Sequence, residues 1–419
     1  MALATLTDPD KPYTRRCFTP LFLEGRAWLT QRFAEAGLSA RLDEGGNLIG
    51  RLEGSDPAAG TIMLGSHSDT VPSGGRFDGI AGVLAGLEAI RTLRDHGIRT
   101  RSSVELVDFL SEEPSEYGLS CVGSRALTRH LEPAMLAFRE PNGERLDEAM
   151  LRMGGNPDRL REPRRNDVSA FLELHIEQGK VLETSGIDLG VVSSIVGITR
   201  LEVVFAGEAD HAGTTPLDLR KDALVAAAAT ITAVRTEAEK RAAGDAYFVA
   251  TTGVIQNEPN AANVVPGHVR LVIEARCENH DALADFVGTI GRASRDAANW
   301  ARVERRQFTL LSDSVPALCD NRLRNHVVNA ATSLGLSTRT MASGAGHDAA
   351  FLARIAPMAM IFVPSQNGKS HCPEEWTEQN QVEAGAAALY ETIRRVDEDG
   401  DFARPQRPAA SHITTGVNG

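Results

Sequence analysis

The chain has 419 residues, 42% of them hydrophobic and 24% charged, the composition of a water-soluble globular protein. That length exceeds one ordinary hydrophobic core and points to two domains. A formal net charge of −12 argues against the basic face a nucleic-acid partner needs, and no apolar run reaches the roughly 20 residues that span a bilayer.

In chain order, Met1 to Arg16 carries Asp8, Asp10 and Pro12 where a signal peptide would need its apolar stretch, and is expected to be poorly ordered to about Tyr13. Five cysteines (Cys17, Cys121, Cys277, Cys319 and Cys372) are scattered without a C-x-x-C pair, which argues against a disulfide framework and for a reducing cytoplasm. Cys372 beside a candidate ligand reads as a bystander rather than a thiolate ligand. A helix is expected from Pro20 to Ala36, with Leu23, Ala27, Phe33 and Ala34 facing inward and Gly37 stopping it. Asp43 to Asn47 is a turn, and Asn47 to Leu52 a strand leaving it.

Thr61-Ile62-Met63-Leu64 reads as a short buried strand. It runs into the glycine-rich loop Gly65 to Gly79, and a small-residue helix follows to about His96, suited to close packing on a sheet. The loop holds His67, Asp69 and Asp78 at a strand's carboxyl end, where open α/β sheets place their chemistry. Imidazole with carboxylate suits zinc, manganese, cobalt or nickel. His67 is the first candidate ligand, Asp69 can orient its ring, and Asp78 can offer one oxygen to each of two ions. By itself the loop reads equally well as a turn with a chance histidine.

The rest of the chain weighs against chance. Ser103 to Leu110 is a strand that forms a βαβ unit with its predecessor, expected to be parallel and right-handed. Its end delivers Ser111-Glu112-Glu113 to the edge that carries His67. After a charged helix-and-loop segment from Arg139 to Asp167, the strand beginning at Ala170 leads to His175, Glu177 and Gln178. Met358 to Val363 leads through Pro364 into His371-Cys372-Pro373-Glu374-Glu375. Four apolar segments thus each end in a histidine or acidic cluster, which a shared site explains.

Between Gly197 and Asp313 the pattern changes to β-α-β-β-α-β, a compact α+β plan. The division expected is a discontinuous domain, 1–196 with 314–419, carrying an α/β fold with a central, mostly parallel sheet, and an inserted α+β domain, 197–313. The tail from Arg404 to Gly419 is Pro/Ala/Thr/Gly-rich and expected to be disordered.

Seven motifs stand in order: the loop Gly65 to Gly79, Glu112-Glu113, Leu174 to Gly179, His211-Ala212-Gly213-Thr214-Thr215-Pro216, Asn263 to Gly267, Gly344 to Ala349, and His371 to Glu375. As a set they resemble the amidase/hydantoinase/carbamoylase branch of the M20 metallopeptidase superfamily, which includes N-carbamoyl-L-amino-acid hydrolases, allantoate amidohydrolases and β-ureidopropionases. The likeness runs from about Thr14 to Val396. It implies two divalent metal ions per subunit (Zn, Mn, Co or Ni) bridged by Asp78, one completed by His67 and His175, the other by Glu113 and His371. Glu112 matches the general base. Gln178, His211, Asn263 and Arg276 match substrate-binding positions. The inserted domain would act as a lid and dimerisation surface of a homodimer, with His211 serving the partner's site. Peptidase members usually carry a carboxylate at the position of His175, so the histidine favours the carbamoylase branch.

What the resemblance implies makes chemical sense. A urea or amide carbonyl is a poor electrophile and water a poor nucleophile, a problem a metal pair with a base solves. His211 suits an oxyanion donor, and Arg276 a bidentate grip on a substrate carboxylate, against the plainer reading of Arg276 as a strand-face salt bridge. Gly346-His347-Asp348 is expected to cap a short helix, Asp348 to Ala353, with His347 structural. Two departures stand out: Pro114-Ser115-Glu116-Tyr117 replaces the branch's usual Gly-Ser-Arg-Phe, which bears on substrate identity, and the N-terminus looks shorter than usual, without the family's leading helix. The expected activity is hydrolysis of the ureido C–N bond of an N-carbamoyl amino acid or related ureido acid. Allantoate hydrolysis, a dipeptidase or N-acyl-amino-acid deacylase, and a non-catalytic metal-binding protein are the successively weaker rivals.

Overall fold

A computed structural model describes residues 2–400 and 402, so the tail expected to be disordered and His412 lie outside the described residues. The strands are β1 (Ser39–Leu42), β2 (Leu48–Leu52), β3 (Thr61–His67), β4 (Ser103–Phe109), β5 (Val168–Ile176) and β6 (Leu189–Ile195). They continue as β7 (Gly197–Ala206), β8 (Phe248–Glu258), β9 (His268–Cys277), β10 (Glu304–Asp313), β11 (Ala317–Leu318), β12 (Thr338–Ser343) and β13 (Met358–Val363). Among the described residues these form two sheets, one in the order β1-β2-β4-β3-β5-β13-β6-β11 with β12 beside β6, the other β10-β7-β9-β8.

The centre of the large sheet is parallel, with β4 on β3, β3 on β5 and β5 on β13, whereas β1, β2 and β6 pair antiparallel with their neighbours. Every residue of β3, β4, β5 and β13 is buried. Such strands carry helices on both faces, which is why they read as unbroken apolar runs rather than alternating ones. The helix Ile80–Asp95 follows β3 and buries one small-residue face. At Gly82 a side chain would run into the Leu174 carbonyl of β5, so the close approach expected of this helix depends on the missing Cβ.

Buried carboxylates on these strands dictate where basic residues go. Asp108 on β4 is fully buried and draws in Arg26, whose Nε donates to its Oδ2 at 2.9 Å. This corrects the inner face expected for the second helix, Pro20–Glu35. Phe22, Gly25, Arg26, Leu29 and Phe33 are buried, while Leu23, Ala27 and Ala34 are exposed. Apolar periodicity alone misplaced the face because a charge sits on its buried side. Glu105 is likewise buried and met by Arg165 at 2.5 Å and Arg51 at 3.1 Å. These residues line a charged cavity of about 450 Å3, but both guanidinium groups are already spent, Arg51 also on Glu53 and Arg165 also on Asp167.

The amino-terminal segment differs from expectation for a related reason. Residues Ala2–Thr5 form a helical turn and Leu3 joins the core. Arg15, only 2% exposed, donates to the carbonyls of Leu3, Leu6 and Ser68. An arginine buried among backbone carbonyls fastens a segment that composition marks as loose.

The chain divides into two compact units, Met1–Ser193 with Leu318–Met341 and the chain from Gly346 onward, and Ser194–Ala317 with Ala342–Ala345. The boundaries expected at 197 and 313 fall inside the second unit. Its elements run β7, helix Ala223–Ala242, β8, β9, helix His280–Ala301, β10, and its sheet is antiparallel. Burial alternates residue by residue along β9, with Val269, Leu271, Ile273 and Ala275 packed in a core with Phe286 and Ile290 of the second helix. Asp222 and Asn279 cap the two helices by accepting from Leu224, Val225 and Ala282 backbone N–H groups. No helix among the described residues is long and apolar enough to cross a membrane.

Candidate metal centre

The parallel strands deliver their carboxyl ends to one edge of the first unit, and the ligand-type residues follow from that topology. His67 is the last residue of β3, Glu112 and Glu113 follow β4, His175 is the penultimate residue of β5, and His371 lies beyond β13. Asp78 lies on the loop leaving β3. At Gly79, with φ +65°, a Cβ would meet the His67 ring, so glycine is required to turn this loop into its helix.

These side chains converge in two groups sharing one residue. One nitrogen or oxygen from each of His67, Asp78 and His175 lies within 4.8 Å of the others, and the same holds for Asp78, Glu113 and His371. The two oxygens of Asp78 divide between the groups: Oδ1 stands 3.1 Å from His175 Nε2, and Oδ2 3.1 Å from His371 Nε2. His371 Nε2 is also 3.4 Å from Glu113 Oε1. Glu112 belongs to neither group and holds its Oε2 3.6 Å from His67 Nε2.

Surrounding groups set the orientation of each ring. His67 Nδ1 faces the Asp69 carbonyl at 3.0 Å, and His175 Nδ1 faces the Ile176 carbonyl at 2.9 Å. A carbonyl only accepts, so both Nδ1 atoms carry the proton and both Nε2 atoms present lone pairs. Asp69 has a further use: its two oxygens accept from the backbone N–H groups of Glu112 at 3.3 Å and Glu113 at 3.2 Å, tying the β4 loop to the β3 loop.

The carboxylates and imidazoles of the cluster shift one another's proton affinities. Burial, joined by Glu113 and Asp348 and only partly offset by His67, pushes Glu112 well above the usual carboxylate range. Burial and then the facing Asp78 raise Glu113 to about 7. Burial opposes the Asp78 carboxylate, but the facing imidazoles of His175 and His371 more than reverse this and pull it well down. The Asp78 hydrogen bond raises His371 to about 9. The buried His175 Nε2, close to Asp78, finds no partner of hydrogen-bonding geometry. Three imidazoles and two carboxylates, one imidazole nitrogen unsatisfied among them, are the donor set a divalent transition metal takes, so the residues present fit such ions.

The other expected site residues sit as follows. Gln178, at φ 59°, donates from Nε2 to Asp78 Oδ1 at 3.1 Å and to Ser370 Oγ at 3.2 Å, which places its amide on the carboxylate the two groups share. His211 and Asn263 lie in the second unit, both exposed and brought together where Ala212 N–H donates to the Asn263 carbonyl at 2.9 Å. Arg276 on β9 pairs with Glu274 at 2.7 Å and donates to the Gly344 carbonyl at 2.6 Å. Cys372 is in neither ligand group. Asp348 does stand at the start of the short helix Ala349–Leu352, but its side chain makes no cap and instead accepts from Ser124 Oγ at 2.5 Å. Glu116 is exposed and paired with Arg16 at 2.9 Å.

Sequence reasoning missed several residues here. Glu375 accepts from the backbone N–H of Phe77 and Asp78 and from Ser370 Oγ, holding the loop that carries the bridging carboxylate. Its place in the His371–Glu375 motif was the available signal. Cys121 Sγ lies 3.7 Å from Glu112 Oε1 and had no signal. Glu173, buried two residues before His175, offered no signal beyond being a charge inside an apolar strand.

A central parallel sheet whose strand ends assemble two groups of ligand-type atoms on one shared aspartate is an arrangement suited to metal-dependent hydrolysis. The chain belongs to peptidase family M20/M25/M40, whose pattern it matches over residues 63–395. It is 38% identical to an N-carbamoyl-L-amino acid amidohydrolase of Geobacillus stearothermophilus, across 92% of this chain and 93% of that one. It is 34% identical to a ureidoglycolate hydrolase of Arabidopsis thaliana, across 95% and 85% respectively. The structure of an amidase of the hydantoinase/carbamoylase family from Burkholderia multivorans superposes with a TM-score of 0.88 at 33% identity, covering 97% of both chains.

Proposed function

We propose that this protein is a metal-dependent amidohydrolase that cleaves the ureido C–N bond of an N-carbamoyl amino acid or a related ureido acid. The observation that carries the reading is the division of Asp78's two oxygens between two ligand groups, with a buried carboxylate, Glu112, beside them but in neither. The names of its relatives supply the bond. In this reading His67, Asp78 and His175 hold one divalent ion, and Asp78, Glu113 and His371 a second, with zinc, manganese, cobalt or nickel suited to the donors. Such a pair supplies carbonyl polarisation and a nucleophile from water at neutral pH.

The chain's own residues supply the rest. Glu112 takes the proton of the attacking water and returns it to the leaving nitrogen. Its burial favours this, because a raised proton affinity brings a carboxylate toward the working pH. Gln178 keeps Asp78 aligned. Arg276 and Asn263 hold the substrate carboxylate and His211 donates to the oxyanion, all from the second unit acting as a lid and as the contact of a homodimer.

The test is turnover by chelator-stripped, metal-reconstituted protein, read as ammonia release from N-carbamoyl amino acids, allantoate and ureidoglycolate and as free amino acids released from dipeptides. Turnover of ureido acids with none of dipeptides is expected. Turnover confined to dipeptides would contradict the reading.

A further inference from the structure

Beneath His175 lies a third group of ligand-type atoms that the reaction does not use. A carboxylate oxygen of Glu173 and ring nitrogens of His175 and His347 lie within 4.8 Å of one another, all three residues buried. His175 cannot serve two centres at once. Its Nδ1 proton goes to the Ile176 carbonyl, leaving only Nε2, which already faces Asp78. Glu173 and His347 therefore stand behind a ligand rather than forming a site of their own.

Their contacts suit that place. Glu173 is 1% exposed; its Oε1 accepts from Ser66 Oγ at 2.8 Å, and its Oε2 has no hydrogen-bond partner. Glu173 lies two residues before His175 on the same face of β5, and Ser66 is the penultimate residue of β3, so this hydrogen bond ties the ends of the two strands together just before His175. β3 and β5 are backbone-paired as far as Leu64 and Leu172, just short of it. The His347 ring sets its edge against His175, centroids 4.5 Å apart, and Phe362 closes the cage at 6.4 Å.

We propose that Glu173, anchored by Ser66 and joined by His347, positions His175 and thereby sets the affinity of the ion at the His67–Asp78–His175 group, without influence on the ion at Glu113 and His371. This rests on the two-ion reading above. Glu173 takes no hydrogen bond from His175, whose Nδ1–H goes to the Ile176 carbonyl, so it acts through the charge it holds within 4.8 Å of a ring nitrogen, and losing a group in the outer shell of a metal ligand typically costs about 10–100-fold in metal affinity.

The experiment is a Co2+ titration of the full-length apoprotein, followed by visible absorption in competition with a chelator. The phase surviving in Glu113→Gln identifies the His67–His175 ion. Glu173→Gln keeps the size of the side chain and an acceptor for Ser66. It should weaken that phase about 10–100-fold, leave the other unchanged, and leave the melting temperature of the apoprotein at the wild-type value. Ser66→Ala should weaken the same phase by a smaller factor, and it decides the matter if Glu173→Gln does not fold. Wild-type affinity for both ions in these variants would overturn the positioning role while leaving the two-ion reading intact. Parallel loss of both ions with a lowered apoprotein melting temperature would also overturn it, in favour of a general packing role. A wild-type protein that binds a single Co2+ would overturn the two-ion reading and this inference with it.

Discussion

Glu112 and Glu113 are neighbours in the chain, yet their carboxylates face different surroundings. Glu113 points at His371 and across to Asp78, whereas Glu112 faces His67 and receives the Cys121 thiol. The difference separates a ligand from a base. Glu112→Gln is expected to retain both ions, by elemental analysis, while turnover falls by about 10²–10⁴. Glu113→Gln should lose one ion together with activity. The reverse pattern would exchange the two roles. Glu116, which replaces a basic residue usual in the branch, is engaged with Arg16 at the surface.

At the scale of elements, the strand β5 is secured at its start by a charge pair whose pH dependence can be measured. Burial opposes the Asp167 carboxylate, but hydrogen bonds from Arg165 and Thr61 more than reverse this, pulling it from 3.8 to about 2. A folded value below the unfolded one stabilises the protein above about pH 4, and that stability is lost as pH falls toward 2. The side chain is 45% exposed, so solvent screening reduces the gain to roughly 1 kcal/mol. Asp167→Asn should be less stable by about that amount at pH 6 in urea denaturation, with the gap narrowing below pH 4. A gap that widens on acidification would contradict the assignment. The elements carrying ligands were legible because buried parallel strands are continuous apolar runs that end in polar chemistry. His67, Glu113, His175 and His371 all announce themselves in this way. The inner face of the helix Pro20–Glu35 was not legible, since Arg26 is drawn inward by Asp108, a partner 82 positions away. Leu3 was missed for the same reason: its anchor, Arg15, is tied to the loop at Ser68. Local pattern finds elements, whereas buried charge pairs distant in sequence decide how those elements turn.

At the scale of the whole molecule, the proposal divides labour between a unit that holds the metals and a unit that recognises substrate across a dimer. Arg276→Ala should chiefly raise KM for carboxylate substrates, and His211→Ala should chiefly lower kcat, by about 10²–10³. Mixing the inactive His211→Ala and Glu112→Gln proteins tests the assembly. If His211 works on the partner's site, each hybrid dimer has one site with both lesions and one with neither, and activity partly returns on subunit exchange. No recovery, with exchange confirmed by mass, would place His211 with its own chain's site. The central claim is that Asp78 joins two metal sites, and anomalous diffraction from zinc-loaded crystals tests it most directly. Two peaks are expected, each about 2.0–2.2 Å from its nitrogen and oxygen ligands. One should touch His67, Asp78 and His175, and the other Asp78, Glu113 and His371. A single peak, or a pair in which either ion lacks Asp78, would contradict the account.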